Sequence, residues 1–80
     1  MMTPIKREAD LSTYAGRFAA RLRELREKAG LSQAELAEKT GTKQRTLSDW
    51  ETGKAQPPFN VFPLLADALK TSPRNLMPKI

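Results

Sequence analysis

The stretch from residue 31 to residue 53, LSQAELAEKTGTKQRTLSDWETG, constrains the fold of this chain more than any other part. Read with the helical period of about 3.6 residues, apolar side chains share one face of each half: Ala34, Leu36 and Ala37 in the first, Leu47 and Trp50 in the second. Gly41 stands between the halves and can end the first helix in a left-handed conformation. We therefore predict two short helices that cross at a tight turn, with the small Gly41 at their closest approach.

Helix-capping and helix-breaking residues in the rest of the chain predict further helices and no strand. Residues 1–11 contain Pro4 and mixed charges, which predicts a flexible N-terminal tail ahead of one domain over residues 12–80. Ser32 and Glu35 have the spacing of a capping box, and Pro63 fits only the first turn of a helix. The predicted helices span residues 12–29, 33–40, 43–51, 61–70 and 73–77. The fold class is all-α, a compact five-helix domain.

Finer expectations concern the helix ends and the core. We predict that Thr42 caps the third helix and that Asn60 caps the fourth. Apolar residues at steps of three and four predict the buried faces of the first and fourth helices: Ala15, Phe18, Leu22, Leu25, Ala29, Phe62, Leu65, Ala66 and Leu69.

Composition excludes several classes of protein. The chain has no cysteine and no histidine, so we predict no disulfide, no metal site, no cofactor, no catalytic residue and no enzymatic activity. It contains no apolar run of the roughly 18 residues that a membrane span needs, and we expect a cytoplasmic protein without a membrane partner. The net charge of +5 favours a polyanion partner, with nucleic acid first.

The third predicted helix leaves a polar face outside once Leu47 and Trp50 point inward. The expected DNA base contacts lie on that face: Gln44, Arg45, Ser48 and Asp49. A glutamine can pair with adenine and an arginine with guanine O6 and N7, whereas Asp49 could accept from cytosine but would repel phosphate. Because the turn lies just before Gln44 and Arg45, these two side chains would enter a major groove most deeply.

Donors around this face predict contacts with DNA phosphates: Gln33, Lys43, Thr46 and Lys54. Gln33 opens the second helix, where free backbone N–H groups favour an anion. Considered one at a time, Gln33 is equally consistent with a residue that merely occupies the first turn of a helix. The lysines are equally consistent with solvated surface charges. Together, around one polar face, they favour double-stranded DNA as the ligand.

The segment GLSQAELAEKTGTKQRTLSDWETGK, with ADAL at residues 66–69 and SPRNLM at residues 72–77, resembles the Cro and phage-repressor type of helix-turn-helix domain. The resemblance covers about residues 18–76. It implies a five-helix DNA-binding domain that binds near-palindromic operators as a dimer. By position it places Gln33 on backbone phosphate and Gln44, Arg45 and Asp49 at bases. An acid at position 49 departs from the amide or basic residue that the family more often has there.

The resemblance also implies an ion pair between Arg26, on the first helix, and Glu51, which closes the third. The alternative is that these residues are two separate surface charges.

Together these observations predict a sequence-specific double-stranded DNA-binding transcriptional regulator that represses by occupying an operator. One alternative is an antitoxin that binds a partner toxin and autoregulates its operon. Another is a protein-interaction module that has kept the fold without binding DNA. The apolar C-terminal residues Leu76, Met77 and Ile80 are expected either to form a homodimer contact or to close the core.

Overall fold

The computed structural model describes residues 11–78, which fold into five α-helices. These are α1 (Tyr14–Lys28), α2 (Gln33–Thr40), α3 (Gln44–Thr52), α4 (Phe62–Ala68) and α5 (Pro73–Leu76), with a 3₁₀ turn at Phe59–Val61. No strand occurs within the described part of the chain, and the prediction of an all-α, five-helix fold is confirmed. The predicted division into a tail and a domain over residues 12–80 extends beyond the described residues and stays a prediction.

One core joins all five helices. Its buried members are Phe18, Leu22, Leu36, Ala37, Leu47, Trp50, Leu65, Ala66, Leu69 and Leu76. The helix α1 packs against α3, α3 against α2, and α4 against both α2 and α5. Fully burying each leucine removes apolar surface worth about 1.5–3 kcal/mol, so this cluster is the main source of stability in a chain without disulfides.

The ends of α1 differ from the prediction. Thr13 caps the helix by accepting a hydrogen bond from the Gly16 backbone N–H at 2.9 Å, so α1 begins at Tyr14 rather than at residue 12. At the other end α1 stops at Lys28, and Ala29 occupies the C-cap position. Ala29 is therefore exposed, and the prediction that it joins the core is wrong because the helical period no longer holds at that residue.

The turn between α2 and α3 corrects the expectation for Gly41. Gly41 has φ +69°, but a Cβ atom added there would meet nothing within 4 Å, so Gly41 is not the point of closest approach. Glycine serves this position because a left-handed backbone strains other residues. Contact between the two helices falls instead to buried side chains on either side of the turn, Leu36 and Ala37 in α2 and Leu47 in α3.

Thr42 does not cap α3. Its backbone N–H donates to the Ala37 carbonyl at 2.9 Å, which holds Thr42 against the end of α2. Its hydroxyl lies 2.9 Å from the Thr40 hydroxyl. Lys43 therefore occupies the N-cap position without a side-chain cap, and α3 begins at Gln44.

The predicted capping box of α2 is confirmed. The Glu35 backbone N–H donates to the Ser32 hydroxyl at 3.0 Å, and the Ser32 backbone N–H donates to Glu35 Oε1 at 2.8 Å. Asn60, in contrast, does not cap α4, because residues 59–61 form the 3₁₀ turn and Val61 takes the cap position. Pro63 lies in the first turn of α4, where its missing N–H costs no hydrogen bond.

Within residues 11–78, no helix has both the length and the apolar character required to span a bilayer.

Candidate nucleic-acid interface

A buried ion pair ties α1 to α3. Arg26 Nε donates to Glu51 Oε2 at 2.7 Å, and Arg26 Nη2 donates to Glu51 Oε1 at 3.1 Å. The remaining Nη1 donates to the Leu31 carbonyl at 2.8 Å. The two side chains are only 11% and 2% exposed. Because a carboxylate with so little contact with water needs a partner, Arg26 is what allows Glu51 to lie there charged.

The same carboxylate also positions Gln33. Gln33 Nε2 donates to Glu51 Oε1 at 3.1 Å, which joins the first residue of α2 to the α1–α3 pair. A side-chain amide nitrogen carries two N–H groups, so one of them remains available to a ligand. The Glu51 carboxylate thus orients a donor beside the N-terminus of α2, where backbone N–H groups already favour an anion.

These residues form one wall of a polar notch, a cavity of about 230 Å³ between α1, α2 and α3. The residues that line the polar notch are Arg23, Arg26, Gln33, Ser48, Glu51 and Thr52. The sequence reasoning missed Arg23 and Thr52. Arg23 could have been found, since it lies one turn before Arg26 on α1 and therefore near the same side of the helix. It is held there by Glu27, with Arg23 Nε 3.2 Å from Glu27 Oε2.

All four predicted base contacts lie on the outer face of α3. At about 100° per residue, Gln44, Arg45, Ser48 and Asp49 occupy a continuous arc that faces away from the buried Leu47. Gln44 and Arg45 are exposed at the start of the helix, while Ser48 and Asp49 are half-buried. Ser48 also lines the polar notch, so it stands between the two parts of the interface.

The other predicted phosphate-binding residues are spread around α3. Lys43 is exposed at its N-cap position, and Lys54 is exposed just beyond its C-cap, so the two lysines lie at opposite ends of the helix. Thr46 is half-buried and lies about 100° around the helix from Arg45. Within residues 11–78 neither lysine makes an ion pair, so both charges can face a polyanion.

Asp49 places a negative charge on this face. Its backbone carbonyl accepts from the backbone N–H groups of Lys54 and Ala55, which closes the helix end. Among the described residues its carboxylate makes no hydrogen bond or ion pair. An unpaired carboxylate in this position can accept from a donor on a base and repels phosphate.

Across residues 11–78 no group of three or more carboxylate, imidazole or thiolate side chains is arranged to hold a metal ion. The face formed by α3 and the polar notch is equipped with amide, hydroxyl and guanidinium donors, which are groups that hydrogen-bond to bases and phosphates.

Comparison with known proteins agrees with this geometry. A family model described as a helix-turn-helix domain matches residues 17–78. The restriction-modification controller protein C.AhdI from Aeromonas hydrophila is 38% identical, with a TM-score of 0.74, over 76% of this chain and 92% of that chain. The P22 c2 repressor protein, solved in complex with a synthetic operator, is 30% identical with a TM-score of 0.70 over 75% and 91% of the two chains.

A third match is of a different kind. HppE, solved in an apo form, is 30% identical with a TM-score of 0.75 over 82% of this chain, but the match covers only 37% of the HppE chain. The chain is therefore similar to nearly all of two regulators and to a minor part of HppE.

Proposed function

The chain belongs to the helix-turn-helix family of DNA-binding regulators, and we propose that it represses transcription by binding a double-stranded DNA operator sequence-specifically. The observation that carries this proposal is the outer face of α3, where Gln44 and Arg45 stand exposed at the end that enters a major groove. Occupation of the operator would exclude polymerase or another factor sterically. Both the controller protein and the repressor to which the chain is similar carry a regulator's name.

Base recognition is assigned to four side chains of α3. Gln44 would pair with adenine and Arg45 with guanine O6 and N7, each pair discriminating by roughly 1–3 kcal/mol. Ser48 can donate to or accept from either base, and Asp49 can accept only from a donor such as cytosine N4. Because Asp49 is half-buried while Arg45 is exposed, Arg45 would reach a base edge first.

Phosphate binding is assigned to the polar notch and the ends of α3. The second N–H of Gln33 and the guanidinium of Arg23 provide donors for an anion in the notch. The Thr52 hydroxyl already donates to the Ser48 carbonyl at 3.0 Å, so Thr52 lines the notch without a free donor. The Glu51 carboxylate would repel a phosphate there if Arg26 did not neutralise it. Lys43, Thr46 and Lys54 would hold the backbone on the remaining sides.

We propose a regulatory role rather than a catalytic one. The likeness to HppE involves about a third of that chain and so concerns a domain, not its reaction. The chain would act in the cytoplasm, where a bacterial or phage operator is found.

We also propose that the chain binds a near-palindromic site as a homodimer. Leu76 cannot serve as the contact, because it is fully buried and closes the core, while Ile80 lies outside the described residues. Met77 remains half-exposed and accepts a hydrogen bond from the Tyr14 hydroxyl at 3.6 Å. Next to Met77 and Tyr14 lies the Phe62 ring. It contacts the ring of Phe59, which is 84% exposed. Such adjoining apolar side chains are typical of an interface between chains.

Selection of bound sites from random duplex DNA, at two salt concentrations, tests the proposal. We expect an enriched motif with two half-sites about one helical turn apart, and weaker binding at high salt. The Gln44→Ala/Arg45→Ala variant should keep weak, salt-sensitive binding and lose the motif, whereas Lys28→Ala, on the opposite side of α1 from the core, should keep it. Recovery of no motif, or the same motif with the double variant, would overturn the proposal.

A further inference from the structure

A second cationic surface lies between α1 and α5. It is a groove of about 860 Å³, which we call the arginine groove. Three arginines line it among apolar side chains: Arg17, Arg21 and Arg74, with Leu11, Ala20, Met77 and Pro78. Glu24 is the one carboxylate in its lining, so the groove carries an excess of positive charge. Neither the core nor the DNA-binding face of α3 explains this combination.

The arginine groove faces away from the polar notch. Arg21 and Arg23 are two residues apart on α1, which places their side chains about 200° apart around the helix axis. Arg17, Arg21 and Glu24 follow at steps of four and three and form one stripe toward α5. A molecule in the arginine groove would therefore leave the polar notch and α3 open.

Two of the three guanidinium groups are held in place. Arg21 Nε donates to the Asn75 carbonyl at 2.9 Å, and Arg21 Nη1 donates to Glu24 Oε1 at 3.1 Å. Arg17 Nη1 donates to the Leu11 carbonyl at 3.2 Å, and its guanidinium lies over the Tyr14 ring, 5.9 Å from the ring centre. Ordering these long side chains in advance lowers the entropy that a ligand must overcome.

Arg74 supplies a charge that the fold does not use. Within residues 11–78 it makes no ion pair, and it stands in α5 at the rim of the groove. Guanidinium groups bind carboxylates through two parallel hydrogen bonds, which suits them to acidic protein segments.

We propose that the arginine groove binds an acidic segment of a second protein, one whose carboxylates alternate with apolar side chains. The carboxylates would pair with Arg17 and Arg74, and the apolar side chains would cover Leu11, Ala20 and Pro78. A DNA backbone fits the groove less well, because it offers nothing to the apolar lining. The Glu24 carboxylate does not distinguish the two ligands, and Arg21 already pairs with it. The arginine groove lies on the opposite side of α1 from the DNA-binding face of α3. It shares Met77 with the surface proposed for the homodimer, so dimerisation is measured alongside peptide binding.

Fluorescence anisotropy with a defined probe tests this proposal. The probe is a labelled peptide of alternating Glu and Leu pairs, and the control peptide has Gln in place of every Glu. The full chain should bind the acidic peptide and not the control. Arg17→Gln/Arg74→Gln should weaken binding by on the order of tenfold, about 1.4 kcal/mol. The matched control Lys39→Gln/Lys70→Gln removes two exposed charges that lie outside α1 and the groove lining, and should change affinity less than about twofold.

Four outcomes would overturn the proposal, provided that all variants unfold at the same temperature as the parent chain. Equal binding of both peptides, or equal loss in both double variants, would mean that the arginines do not select carboxylates. A tenfold loss of duplex DNA affinity in Arg17→Gln/Arg74→Gln would make the groove a DNA contact. A change in the dimerisation constant of that variant, measured by sedimentation equilibrium, would make it an interface between copies of this chain.

Discussion

Glu51 accepts hydrogen bonds from Arg26 and from Gln33 at the same time, at 2.7 Å and 3.1 Å. Through this carboxylate the structure connects three helices, and the connection is buried. It links stability to function, because the residue that would hold a phosphate is oriented by the acid that neutralises a core arginine. A substitution at Glu51 should therefore change both the free energy of unfolding and the affinity for DNA.

Glu51→Ala should lower the free energy of unfolding by about 3–5 kcal/mol, because it leaves the nearly buried Arg26 without its partner. Chemical denaturation measures this loss. Glu27→Ala is the matched control, since it removes the carboxylate of the exposed Arg23–Glu27 pair and should cost about 1 kcal/mol or less. A Glu51→Ala variant as stable as the control would show that the buried pair contributes little.

Arg45→Ala and Lys43→Ala should weaken DNA binding in different ways. Loss of Arg45 should relax preference at one base position and cost about 1–3 kcal/mol there. Loss of Lys43 should weaken binding to all sequences alike and reduce the slope of affinity against salt by about one. Binding of both variants to a library of single-base operator changes separates the two effects. Identical profiles would refute the division into a base contact and a phosphate contact.

Asp49→Asn should strengthen binding to every duplex, by on the order of threefold for one surface charge, because the unpaired carboxylate repels phosphates. Asp67→Asn makes the same change on the exposed surface of α4 and should have less effect. Affinities for operator and for unrelated DNA are the readout. Besides this general gain, Asp49→Asn should lose discrimination at the one cytosine that Asp49 contacts. A gain without any such loss would remove Asp49 from the base contacts.

The pKa of the Glu35 carboxyl should lie below that of an ordinary glutamate. The Ser32 backbone N–H, which donates to Oε1, and then the Ser32 hydroxyl hold the pKa of the Glu35 carboxyl down. Since the folded pKa is the lower one, the charged carboxylate stabilises the fold above the ordinary pKa. That stabilisation is lost as pH falls through the folded pKa.

NMR titration of the carboxyl carbon reports the Glu35 pKa directly. Glu35→Gln should remove this part of the acid dependence of stability while keeping an acceptor for the Ser32 N–H, and Glu38→Gln provides the matched substitution on the same helix. A Glu35 carboxyl that titrates at or above the ordinary value would contradict the capping geometry.

Local rules predicted the helices well where a residue's role depends on its neighbours in sequence. The Ser32 and Glu35 box is such a case, because both hydrogen bonds close within four residues. The expected cap at Thr42 was wrong for a local reason. The Thr42 N–H completes the C-terminal hydrogen bonds of α2 after left-handed Gly41, so α3 begins one residue later, with Lys43 in the cap position. Gly41 was identified correctly as a turn residue and wrongly as a contact, because sequence cannot separate a conformational need from a steric one.

The interface was accessible from sequence only in part. The arc from Gln44 to Asp49 follows from helical periodicity alone. The polar notch does not follow from periodicity. It brings together Arg23, Gln33 and Thr52 from three helices, and periodicity cannot specify how those helices pack. The Arg26–Glu51 pair was expected only through the family resemblance, since nothing in the spacing of two charges 25 residues apart predicts their contact.

The central claim, that Arg45 reads a guanine in the major groove, is tested most directly by removing the guanine N7 acceptor. Each guanine of the selected operator is replaced in turn by its deaza analogue, and the affinity of the parent chain and of Arg45→Ala is measured. The parent chain should lose about tenfold at one guanine, within the range of one bidentate contact, and Arg45→Ala should lose nothing further there. Equal losses for both proteins, or no loss at any guanine, would contradict the claim.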